Sequence, residues 1–146
     1  MNSLKYIIIP FFIAILSQIV KTIIETIKYK KINISRLFDG MGGMPSTHSS
    51  LVASLTTLIY LNYGITSSLF SISLIFSLIV IYDSMGIRYE SGKQAEAINL
   101  IFDSFVRGKP KKGFKRLKEQ LGHKPLEVIA GMLLGTIVAL IFSTNI

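Results

Sequence analysis

The 146-residue chain is half hydrophobic and carries 16 Lys and Arg against 8 Asp and Glu, a formal net charge of +8. Apolar residues in that proportion, gathered into blocks about as long as a membrane crossing, argue against a water-soluble globule. They assign the positive charge to membrane orientation and anionic lipid rather than to nucleic acid. With no cysteine in the chain, disulfides and thiolate chemistry are excluded.

Four apolar blocks follow one another, near the roughly 20 residues that span a hydrocarbon layer. The first, Tyr6 to Ile27, lacks a small-residue cleavage site and runs into Lys28, Lys30 and Lys31, so it reads as a retained anchor and not a signal peptide. The second, Ser46 to Leu61, is short and rich in Ser and Thr, consistent with a buried, tilted or re-entrant helix whose hydroxyls bond its own backbone. The third covers Ile65 to Ile87 and the fourth Pro125 to Ser143.

Between the third and fourth blocks, residues 91–105 place Ala95, Ile98, Ile101, Phe102 and Phe105 at helical spacing, with Lys93, Glu96 and Asp103 on other faces. Gly108 and Pro110 interrupt that helix. A second amphipathic stretch, GFKRLKEQLG, sets Phe114, Leu117 and Leu121 beneath Lys115, Arg116 and Lys118, as in a helix lying on an anionic membrane surface. The expected architecture is an all-α integral membrane bundle, with about four membrane-spanning helices plus interfacial amphipathic ones. Residues 1–146 form a single domain in this reading.

Of the cationic residues, Lys28, Lys30, Lys31 and Arg36 follow the first block and ten lie from Arg88 to Lys124, while the turn Asn62–Tyr63–Gly64 has none. The positive-inside rule then puts both basic segments in the cytoplasm and both chain ends outside.

Ionisable residues next to apolar spans are costly and mark function. Gln18, Lys21 and Glu25 share one helical face, and Asp83 and Arg88 bracket the end of the third block. Lys21 can pair with Glu25 or snorkel, and Asp83 with Arg88 can simply close the span. The two histidines of the chain, His48 and His123, both stand at loop-to-helix junctions on the predicted cytoplasmic side. Gly42, Gly43, Pro45 and Ser46 lead into the first junction, where exposed amides attract phosphate. Glu127 lies four residues after His123, able to fix its tautomer. Two imidazoles among cations point to phosphoryl transfer through a histidine, one ring attacking phosphorus and the other protonating the leaving oxygen, without metal or cofactor.

In these residues the chain resembles the type 2 phosphatidic acid phosphatase superfamily, which includes the vanadium haloperoxidases, and specifically its divergent branch. The superfamily motifs are K-x6-R-P, P-S-G-H and S-R-x5-H-x3-D. PSTH at Pro45–His48 is similar to the second, with Thr47 at its third position, and HKPLEVIAG at His123–Gly131 to the end of the third, with Glu127 in place of aspartate. The resemblance implies that His123 is the nucleophile, Glu127 its orienting acid and His48 the general acid. YDSMGIRYESGKQA, residues 82–95, supplies Arg88 as a phosphate ligand, and Asp83, Glu90 and Lys93 are possible additional site residues. Lys21 is the candidate first-motif lysine, with Arg36 as companion and Ser46 as a further phosphate contact. No K-x6-R-P string is present, and Arg88 stands far from His123 in sequence.

The expected function is hydrolysis of a phosphate monoester or pyrophosphate on a phospholipid or polyprenyl lipid, near the cytoplasmic face of a bacterial inner membrane. The alternative is a lipid-phosphate binding or transport protein that retains the anion site.

Overall fold

The computed structural model describes residues 3–30, 42–105, 116–119 and 122–143. Among the described residues there are five helices and no strand: α1 (Lys5–Tyr29), α2 (Thr47–Tyr63), α3 (Ser68–Met85), α4 (Ile87–Phe105) and α5 (Pro125–Ser143). Their ends follow local chemistry. Ser46 caps α2, its hydroxyl accepting the Ser49 N–H at 3.3 Å, and Ser67 caps α3 by accepting the Phe70 N–H at 3.1 Å. Gly64 closes α2 at φ 76°, a conformation that favours glycine, and Pro125 opens α5 at the position where its missing N–H costs nothing. Gly86 separates α3 from α4, which otherwise run on as one helical stretch.

All four apolar blocks are helical, but among the described residues three helical stretches are long and apolar enough to cross a membrane: Lys5–Tyr29, the continuous run Ser68–Ser104, and Pro125–Ser143. The 17-residue α2 falls short of that length. It is the inner helix, packed against α1, α3 and α5.

The bundle carries its hydrophobic side chains outward. Ile7, Phe11, Ile15, Ile72, Ile79, Leu133 and Ile141 are exposed, whereas Ser17, Ser49, Ser50, Ser54, Ser77 and Ser84 are buried. This inversion suits a lipid solvent, in which close backbone packing and hydrogen bonding replace the hydrophobic effect between helices. The buried hydroxyls are satisfied locally: Ser54 donates to Leu51 O at 2.7 Å, Thr57 to Ala53 O at 2.7 Å, and Ser77 to Ser73 O at 2.8 Å. A smaller apolar cluster of Ile9, Ile13, Leu58 and Ala139 joins α1, α2 and α5. Glycine lets α5 approach α2 closely. A methyl at Gly131 would lie 3.1 Å from Ser46 N and Ser49 Cβ, and one at Gly135 would lie 2.9 Å from Ser50 C and Cα.

α4 forms with the expected amphipathic pattern. Of the second amphipathic stretch, Phe114, Lys115 and Leu121 lie outside the described residues, and residues 116–119 are irregular. Asn99 on α4 takes both backbone groups of Leu117, its Oδ1 accepting the N–H at 3.1 Å and its Nδ2 donating to the carbonyl at 2.9 Å, and also donates to Glu119 Oε1 at 2.8 Å. Those main-chain groups are the ones a helix through Leu117 would need for itself.

Candidate active site

Residues 42–46, which lead into α2, and 122–124, which lead into α5, meet at one end of the bundle. Ser46 N–H donates to Glu127 O at 2.9 Å, which fixes the start of α2 on the first turn of α5, and His123 N–H donates to Ser84 O at 3.0 Å, which ties the approach to α5 to the end of α3. These two bonds bring His48 and His123, 75 positions apart, to a ring-centroid separation of 6.3 Å with the rings inclined at 65°. An atom between them can be reached by both rings.

Glu127 orients His123. Its Oε2 lies 3.0 Å from His123 Nδ1 and also accepts the backbone N–H of Gly43 at 3.1 Å and of Lys124 at 3.2 Å. A carboxylate holding Nδ1 fixes the proton on that nitrogen and leaves the Nε2 lone pair available. The His123 side chain is 4% exposed, and burial pushes its pKa below the ordinary histidine value against the opposing Glu127 hydrogen bond; the charges of Lys21 and Arg88 push the same way as burial. Nδ1 of His48 is buried with no hydrogen-bond partner among the described residues.

Lys21 is buried at 2% exposure, and its side chain passes beside Gly43. Gly43 adopts φ 129°, and a Cβ there would fall 2.7 Å from Glu25 Oε1 and 3.3 Å from Lys21 Cδ. The lysine, the glycine amide and Glu127 therefore form one packed corner. Gln18, one turn before Lys21 on α1, accepts the Thr47 hydroxyl at 2.8 Å beside His48.

Arg88 is engaged by Asp83, with Nε 3.0 Å from Oδ2, and both side chains are partly exposed at the junction of α3 and α4. Ser46 is buried, and its hydroxyl accepts from Ser49 N–H and from the Ser49 hydroxyl at 2.9 Å, so it is used as a helix cap. Glu90 and Lys93 pair with each other at 3.0 Å on an exposed stretch of α4. Arg36 lies outside the described residues. Among the described residues no group of three or more His, Asp or Glu side chains is placed to hold a metal ion.

The sequence patterns missed two main-chain groups that organise the site. The Gly43 amide on Glu127 was announced only by the paired glycines before Pro45, and the Ser84 carbonyl on His123 by no pattern at all.

A family model described as the divergent PAP2 family matches residues 3–138. The chain belongs to the divergent PAP2 family. It is 39% identical over 139 residues to the Bacillus subtilis (strain 168) protein named uncharacterized membrane protein YuiD, covering 88% of this chain and 87% of that one. No solved structure matches the chain. Membership of the family, the membrane-protein relative and the long apolar helices together make this a PAP2-related membrane protein.

Proposed function

We propose that the protein is a membrane phosphatase that hydrolyses a lipid phosphate monoester or pyrophosphate through a phosphohistidine. The observation that carries this reading is the convergence of the two imidazoles, 6.3 Å apart, with a carboxylate on Nδ1 of one of them. His123 Nε2 attacks phosphorus, forming the N–P bond as the P–O bond to the lipid breaks. His48 gives its proton to the departing oxygen. Water then attacks the phosphohistidine, with neutral His48 taking its proton, and inorganic phosphate leaves as His123 is restored. Lys21 and Arg88 supply positive charge to the equatorial oxygens, the main electrostatic task of such a step. Arg88 must exchange Asp83 for phosphate to do so. Ser46 contributes by capping the helix that carries His48.

In this reading residues 1–146 act as one membrane-embedded domain with four crossings. α2, enclosed by three apolar helices, extends about 26 Å at 1.5 Å per residue against a hydrocarbon core of about 30 Å. The site faces the cytoplasm by the positive-inside rule, because basic residues concentrate in sequence after α1 and between Arg88 and Lys124, the segments that lead into α2 and α5. Both positions Lys28 and Lys124 are exposed, and the chain has no cysteine, so K28C and K124C provide unique labels. Both should react only from the inner side of oriented vesicles; labelling from the outer side overturns the orientation.

The reaction is tested by phosphate release from a panel of phosphatidic acid, phosphatidylglycerol phosphate and polyprenyl phosphate with purified protein. His123→Ala and His48→Ala should each lose turnover. Release that is unchanged in both variants refutes the mechanism, and retained lipid binding without release by the wild type favours a binding or transport protein.

A further inference from the structure

A cavity lies beside the junction of α3 and α4. It is a groove of about 690 Å³ lined by Ile75, Leu78, Ile79, Tyr82, Asp83 and Met85 on α3 and by Ile87 beyond Gly86. Its size falls within the range of small-molecule sites, roughly 300 to 1,000 Å³. Its walls are almost wholly apolar, and Ile75, Leu78, Ile79 and Tyr82 are all exposed.

Three observations connect the groove to the site. From Ile75 to Met85 it follows α3 for about 15 Å at 1.5 Å per residue, the depth of one leaflet of a hydrocarbon core about 30 Å thick. Its charged lining residue is Asp83, whose carboxylate holds the Arg88 guanidinium at 3.0 Å. Asp83 and Met85 flank Ser84, whose carbonyl accepts the His123 N–H at 3.0 Å. A molecule in the groove thus has hydrocarbon depth along its body, a cation paired with one wall residue, and the main-chain anchor of His123 one residue away.

We propose that this groove binds a hydrocarbon chain of the phosphate-bearing lipid, drawing the phosphate to Arg88 beside it; the proposal rests on the phosphatase reading for the fate of that phosphate. A zwitterionic lipid fills the groove less well, because its head group carries a cation toward Arg88. The phosphate displaces Asp83, exchanging one charge-assisted partner of Arg88 for another.

The test needs no turnover. The chain contains no tryptophan, so Tyr82→Trp places a single fluorophore in the groove at a position 74% exposed, where the larger ring is accommodated. Leu133→Trp places one on the exposed face of α5. In detergent micelles, phosphatidic acid with brominated chains should quench the groove tryptophan saturably. Half-quenching should come at a mole fraction at least tenfold lower than for brominated phosphatidylcholine, and at least tenfold higher when Arg88→Ala is added. The α5 tryptophan should be quenched only in proportion to mole fraction. Equal behaviour of the two tryptophans, or indifference to Arg88→Ala, overturns the groove. Saturable quenching by a wild type that releases no phosphate supports the groove and overturns the phosphatase reading, whereas phosphate release without saturable quenching does the reverse.

Discussion

Replacing Gly135 by alanine sets two opposed effects against each other in the middle of α5. In an otherwise unencumbered helix the change is favourable by about 1 kcal/mol, because alanine is the better helix former. At this position the new methyl lies 2.9 Å from Ser50 C and Cα, where ordinary contact begins at 3.4 Å, and it also encroaches on the Ser50 carbonyl oxygen. The obstacle is backbone on a helix packed on three sides, so no side chain can swing away. α2 and α5 must part by at least the difference, and overpacking of this kind costs about 1–3 kcal/mol. The steric term is therefore expected to match or exceed the propensity gain, lowering thermal stability in detergent. It also reaches the site, because α2 carries His48 and α5 carries Glu127. On the scale where a 1 Å misplacement costs about a hundredfold, a shift of half that size lowers phosphate release about tenfold. The assays are the unfolding temperature and the release rate of purified Gly135→Ala beside Ile137→Ala, a truncation on the exposed face of the same helix. A Gly135→Ala protein that is more stable than wild type and fully active refutes the close-packed seam.

Glu127→Gln keeps the size of the side chain but removes the charge that orients His123, so turnover should fall by about two orders of magnitude or more with substrate affinity little changed; an unaltered rate would show that the carboxylate has no part. Acidification should destabilise the protein through His123. Because its folded-state pKa lies below the unfolded value of about 6.5, the unfolded chain takes up this proton first, and stability contributed by neutral His123 is present above pH ~6.5 and lost as pH falls toward the folded pKa. His123→Gln should flatten that limb in thermal unfolding measured against pH, and an identical slope in the variant would rule the histidine out as its source.

Much of the helical layout was legible because hydropathy blocks and capping residues are local signals. Pro125 opens α5 and Ser143 ends it as expected, and the His123–Glu127 spacing read from one helical turn is a real contact. The meeting of His48 with His123 had no signal within any one window of sequence; their shared place at loop-to-helix junctions among cations, and then the resemblance, pointed to it. The short second block reads as a buried, tilted or re-entrant helix, and it is buried: α2 is the inner helix, its hydroxyls covered by its neighbours. The stretch around Leu117 has helical periodicity but loses its backbone partners to Asn99, a competitor 18 residues away that no window of sequence contains. The Asp83–Arg88 pair, anticipated as a closure of the third block, is made, and it spans Gly86 at the junction of α3 and α4.

The order of the helices along the chain has a consequence for biogenesis. His48 enters the bilayer with an early segment, whereas the second imidazole and the carboxylate on its Nδ1 follow some 75 residues later, at the start of α5. A nascent chain without α5 therefore holds one ring of the pair. Seating of the glycine face of α5 against the carbonyls of Ser46 and Ser50 is the step that brings the two rings together.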